Sequence, residues 1–205
     1  MKTATTKKNG AVPDKRAAIL NAGVKVFAAK GFFNAKVADI AREAGIADGT
    51  VYLYFKSKDE ILHSIFDRGM AEFIERGRRE LKTLTSAGDK LRRIAELHLE
   101  NLGADRDLAI VFQVELRGST KFMREFSAAG FHEYLQVISE TISEGQKAGV
   151  FRQDLKPIVA AKILYGSLDE MVTNWILSSR SYPLEPLAEE VLKVFFGGVL
   201  NEPKR

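Results

Sequence analysis

The sequence predicts an all-α protein, with a small three-helix unit at its N-terminal end and a larger helical body after it, about nine helices in all. Three observations predict this class. Apolar residues recur at i, i+3, i+4 and i+7 through almost the whole chain. No stretch alternates apolar and polar residues for the length of a strand, and nothing repeats at a fixed period. The main breaks in the pattern carry Gly or Pro, which stop helices. With 205 residues the chain can bury a substantial core, and with no Cys it has no disulfide framework.

Residues 1–13, rich in Lys, Thr, Asn and Gly, read as a disordered basic arm whose lysines either touch DNA backbone or simply solvate the terminus. From Asp14 a helix carries Ile19, Ala22, Gly23, Val26 and Phe27 on one face and stops at Gly31. Val37, Ile40, Ala41 and Ala44 set one apolar stripe on a second helix ending at Gly45, where a positive φ suits a sharp turn. Asp48 is placed to cap a third helix, which Val51 and Phe55 anchor inward. The opposite arc of that helix carries Gly49, Thr50, Leu53 and Tyr54, with Tyr52 at the rim. A short helix held by its neighbour and showing polar groups outward is the arrangement that enters the major groove of duplex DNA. Ser57 and Glu60 have capping-box spacing, so a further helix starts there with Lys56 and Lys58 beside its positive end, a seat for phosphate. Many all-α proteins join short helices through Gly, so the spacing alone leaves a purely structural reading open.

Charge follows the same division. Residues 1–60 hold eleven Lys and Arg against six Asp and Glu, and the remainder twenty against twenty-one, so the net charge of +4 resides in the first segment. That distribution fits an electrostatic footprint for nucleic acid, or a solubilising tail. There is no apolar leader behind Lys2, Lys7 and Lys8 and no uninterrupted membrane-length run, so a soluble cytoplasmic protein without membrane contact is expected.

The helix from Ser57 keeps its apolar period through Leu62, Ile65, Phe66, Gly69, Met70 and Phe73, one rod joining the first unit to the body. Thr85 to Asp89 reads as a loop. Helices follow through Leu91 to Leu99, Leu108 to Leu116, and Thr120 to Lys147, the last bent near Ala128 to Gly130 and closed by Gly149. Asp154 and Pro157 open the next, with Leu164, Leu168, Val172 and Trp175 on a wide apolar face, and a final helix runs from Leu187 to Val199. The expected organisation is 1–13 arm, 14–57 DNA-binding unit and 58–205 body, with 58–81 the connecting helix; that this body is a ligand-binding and dimerisation domain is what its resemblance to a known family implies.

The string A-G-x-A-x-G-T-x-Y-x-Y-F-K-S-K-D-E from Ala44 to Glu60 resembles the signature of TetR-family transcriptional regulators. Three pieces, beginning at Ile46, Asp107 and Tyr165, are also similar to a narrower group, the acyl-CoA-responsive regulators of fatty-acid degradation. The resemblance covers most of the chain after the arm. It implies a homodimeric repressor of a palindromic operator in double-stranded DNA, with contacts from Lys36, Gly49, Thr50, Tyr52, Leu53, Tyr54, Lys56 and Lys58. Physically, the hydroxyls can donate to phosphate or meet a thymine methyl, and the lysines neutralise phosphate. Tyr52 packing against the first helix is the competing reading for that residue. None of these side chains is an Arg or Asn fork, so no operator base is named.

A long-chain acyl-CoA effector needs an apolar slot and cations for its phosphates. Candidates for the slot are Phe112, Leu116, Phe131, Leu168 and Trp175, and for polar contacts Arg106, Gln113 and Arg117, with Arg92, Arg93, Lys121 and Arg124 also available. Each of these has a bland alternative as core or as a solvated cation. Gln113, Glu115 and Asp169 interrupt apolar helices, which points either to a site or to pairing with buried backbone or Arg117. The two broad apolar faces of the last helices suit a symmetric four-helix dimer, or else completion of the monomer core. No cofactor is expected and no enzyme: His63, His98 and His132 stand singly, with no metal spacing and no phosphate loop after a strand. Two other functions stay open, a regulator of drug efflux and a helical lipid-binding protein that ignores DNA.

Overall fold

The structure, a computed structural model, describes residues 14–115, 117 and 127–200. The arm, Leu116, Lys121 and Arg124 therefore lie outside the described residues. Among these there are nine α-helices and no named strand; the extended backbone is limited to a single bridge between Phe151 and Leu200.

The first three helices are α1 (Lys15–Lys30), α2 (Val37–Glu43) and α3 (Asp48–Val51). The Asp14 carboxylate caps α1 by accepting from the amides of Arg16 and Ala17, and Gly31 ends it at φ 75°. Gly45 turns the chain between α2 and α3 at φ 67°, as its position in the sequence requires. One expectation fails here. Asp48 is the first helical residue of α3, not its cap, and the preceding Ala47 contributes no side-chain bond, so this single turn rests on its backbone bonds and on packing. Val51 and Phe55 supply that packing from the core, and Arg16 lies 5.1 Å over the Phe55 ring.

Helix α4 (Lys58–Leu81) starts where Ser57 accepts the Glu60 amide at 3.1 Å. Glu60 reaches back to the amide of Lys56, one residue beyond the usual box partner, at 2.6 Å. The first core does not stop at the expected boundary after residue 57, because Ile61, Leu62 and Ile65 of α4 and Val111 from farther along are built into it. Those side chains need an apolar environment, and a three-helix unit of this size cannot close its core without them.

The body comprises α5 (Ala87–Gly103), α6 (Arg106–Ile110), α7 (His132–Lys147), α8 (Pro157–Leu177) and α9 (Leu187–Val199). The expected loop at Thr85 to Asp89 is shorter: Ser86 caps α5 through the Asp89 amide, so Ala87 is already helical. Two wide π turns flank the undescribed segment, Val111–Glu115 after α6 and Ser127–Phe131 before α7. Asp154 does not open α8; it pairs with Arg152 at 2.7 Å, and Pro157 alone marks the helix start. Helices α7 and α8 pack along each other and onto α5, and this second core shares Phe66 and Phe112 with the first.

Candidate DNA-reading surface and ligand cavity

The surface around α3 presents what its helical register dictates. Tyr52, Leu53 and Tyr54 are 58 %, 81 % and 40 % exposed, Gly49 is exposed and Thr50 half-buried, while Val51 beneath them has no exposed surface. Tyr52 therefore stands in solvent instead of packing on α1. Lys36 precedes α2 and Lys56 precedes α4, both exposed, and Lys56 follows the hydroxyl-bearing turn directly. The expected arrangement departs from the structure at Lys58. Its Nζ donates to the carbonyls of Phe32 at 2.5 Å and Ala35 at 2.8 Å, and sits 4.4 Å from the centre of the Phe32 ring. A half-buried ammonium spent on three carbonyls, Phe33 being the third, braces the loop before α2 rather than waiting for a phosphate.

The same loop is tied to the body. Glu115, in the first π turn, accepts the Phe32 amide at 2.6 Å. Two residues earlier Gln113 donates to Asp169 at 2.8 Å, and Phe112 lies 5.0 Å from the Phe66 ring on α4. Thus one short segment touches the reader, the connecting helix and the interior of the body. Gly69 on α4 allows this approach, since a Cβ there would stand 2.9 Å from Phe112 Cζ.

Behind Phe112 lies a cavity of about 360 Å³. One wall is α4 itself, through Phe66, Gly69, Met70 and Phe73. Leu102, Phe112 and Phe131 complete the apolar lining, and the polar side is made by His98, Asn101, Gln113, Arg117, Tyr134, Tyr165 and Asp169. Asp169 is buried but matched: Arg117 donates to both its oxygens at 2.7 Å, and Tyr165 donates to it at 2.9 Å. His98 is held neutral, because burial pushes its pKa down to about 4, with Asp169 opposing and Arg117 reinforcing that shift.

Of the residues the sequence nominated for the ligand, Phe112, Gln113, Arg117 and Phe131 border this cavity. The other described ones serve elsewhere. Arg106 donates to the carbonyls of Trp175 and Ile176, at 3.2 and 2.7 Å, and lies 5.1 Å over the Trp175 ring, so it closes the C-terminal end of α8. Trp175 in turn donates to the Tyr182 carbonyl at 2.9 Å, and Leu168 is wholly buried in the second core. Arg92 is paired with Glu189, and Arg93 with Glu80, Glu96 and Glu100. Apart from Glu96, three residues after Arg93, these cations have partners that linear spacing does not reveal. Sequence reading missed Phe66, Met70 and Phe73 because it treated α4 only as a strut; their unbroken apolar face was the available signal.

An exposed groove-sized helix mounted on a rod that also walls an internal cavity defines a class: a DNA-binding regulator whose reader is mechanically continuous with a ligand chamber. Residues 19–65 match the family described as bacterial regulatory proteins, tetR family, and residues 66–198 match that described as YsiA-like protein, C-terminal region. The chain belongs to the TetR family of transcriptional regulators, which bind operator DNA as dimers. It is 36 % identical over 184 residues to the fatty acid metabolism regulator protein of Bacillus subtilis, covering 90 % of this chain and 95 % of that one. Two solved structures superpose closely. The transcriptional regulator FadR from B. subtilis in complex with stearoyl-CoA gives a TM-score of 0.84 at 35 % identity, over 89 % of this chain and 98 % of that one. The fatty acid degradation regulator FadR from Bacillus halodurans gives 0.86 at 36 %, over 92 % and 98 %. Among the described residues no helix is long and apolar enough to cross a membrane, and no cluster of His, Asp or Glu is arranged for a metal.

Proposed function

We propose that the protein is a homodimeric repressor of fatty-acid degradation genes, and that a long-chain acyl-CoA in the body releases it from its operator. The observation that carries this reading is the shared wall: the helix that starts under the reader at Lys58 lines the chamber at Phe66, Met70 and Phe73. An acyl chain displacing Phe112 necessarily acts on α4 and on the π turn that holds Glu115 against Phe32. The loop carrying Lys36 then moves with it, because Lys58 clamps the same loop from α4. The relatives of known ligand and role support the effector class. Operator contacts fall to Gly49, Thr50, Tyr52, Leu53, Tyr54 and Lys56 at the exposed turn, and to Lys36 at the start of α2.

Dimerisation uses the outer faces of α8 and α9, where Ile163 is 57 % and Val194 81 % exposed beside an apolar groove of about 530 Å³. Two readers related by a two-fold axis then meet half-sites about 34–36 Å apart or a multiple of it. Release requires only that the effector bind the off-DNA spacing more tightly than the on-DNA spacing.

The test is titration of palmitoyl-CoA into the protein–operator complex, followed by fluorescence anisotropy. Release at micromolar thioester, with no release by palmitate, is expected. Release by the free acid or by hydrophobic drugs, with the thioester inert, overturns the effector assignment.

A further inference from the structure

His98 stands on α5, is 5 % exposed and borders the cavity, yet its Nε2 is buried with no hydrogen-bond partner. Its Nδ1 lies 3.0 Å from the Tyr134 hydroxyl, and the two rings stack with centroids 5.9 Å apart. Counting protons selects the tautomer. When the Tyr134 O–H donates to Nδ1, one group is left unmatched, the Nε2–H. The reverse tautomer strands both the hydroxyl proton and the Nε2 lone pair, and each buried unmatched group is costly. His98 therefore offers a neutral N–H donor. Burial holds it uncharged, as its depressed pKa of about 4 indicates. Asn101, one turn along α5, lines the same cavity beside it.

We propose that the His98 Nε2–H fixes the carbonyl oxygen of an acyl thioester, so that His98 makes the cavity discriminate a thioester from a chain lacking that carbonyl. This rests on the acyl-CoA reading above and names the residue that enforces it. A neutral carbonyl is the fitting acceptor. A carboxylate at the same place would face Asp169, whose Arg117 counter-charge is already engaged through both oxygens.

The experiment compares binding of palmitoyl-CoA with binding of S-hexadecyl-CoA, the thioether in which a methylene replaces the carbonyl. The wild type should prefer the thioester by about ten-fold, the worth of one buried hydrogen bond. In His98→Phe the preference should collapse to near unity, and in His98→Gln, which regains an N–H, it should partly return. A preference that persists in His98→Phe, or equal affinities in the wild type, overturns the assignment while leaving the acyl-CoA reading intact. A wild type that binds neither compound removes the acyl-CoA reading itself, a separate outcome. Where loss of the imidazole unfolds the chain, ¹⁵N-histidine NMR of the wild type decides. The His98 Nε2–H resonance should move downfield with the thioester and stay put with the thioether; a resonance indifferent to both overturns the proposal.

Discussion

The N-terminal core and the core of the body are built from the same kinds of side chain and differ in what they enclose. Around Ile19, Phe27, Ile40, Val51, Phe55 and Ile61 the first core is closed, apolar and almost without solvent contact. The second surrounds a chamber of about 360 Å³, and the buried polar residues His98, Gln113 and Asp169 line it. A close-packed core resists deformation, which suits a unit that must hold α3 in one attitude toward DNA. A chamber lined along one side by polar groups can rearrange when filled, which suits a sensor. The two meet at Phe66 and Phe112, which pack against both.

If the first core is the stiffer, emptying it should have the largest consequence. Phe27→Ala removes a ring with no exposed surface and should cost about 4 kcal/mol. Urea denaturation followed by circular dichroism should show that loss, with operator binding lost in parallel. A loss below 1 kcal/mol would mean that the first core yields as easily as the second.

Acid should act on the second core before the first. His98 has a pKa of about 4 when folded against 6.5 ordinarily, so the unfolded chain takes up the proton first and stability falls as pH drops from about 6.5 towards 4. The full effect is roughly 3 kcal/mol. Its sign reflects desolvation first, with Arg117 adding to it and Asp169 opposing, while Tyr134 and Tyr165 complete the ring's surroundings. Denaturation midpoints at pH 6.5 and 4.5 should diverge in the wild type and converge in His98→Gln. Equal slopes in the two proteins would show that the imidazole does not titrate this way.

A smaller effect separates brace from contact on the reader itself. Lys58→Met should lower stability by about 1–2 kcal/mol through its lost carbonyl bonds, and leave the salt dependence of operator binding unchanged. Lys56→Met should do the reverse, flattening the plot of log affinity against log salt by about one unit. A flattened slope for Lys58→Met would mean that its ammonium leaves the loop when DNA arrives.

Much of the reader was legible in the sequence because it is governed by neighbours in the chain. The helix start at Asp14, the stop at Gly31, the positive φ at Gly45, the inward Val51 and Phe55 and the outward tyrosines all follow from spacing within a few turns. The α4 helix begins one residue after its capping serine and ends at Leu81, where the connecting rod was expected to end. Asp48 misled because a four-residue helix fixed by tertiary packing does not need its cap.

Periodicity, capping residues and a left-handed glycine are local properties, so the sequence by itself determined the all-α class, most helix positions and which side chains of the α3 turn face solvent. Which cation is a brace, which closes a helix and which faces the cavity depends on carbonyls and carboxylates tens of residues away, as with Lys58, Arg106 and Arg117. Only the tertiary structure decided those roles, and only it made α4 a wall of the chamber, because an apolar stripe is satisfied equally by a solid core or by a cavity until the opposing helices are in place.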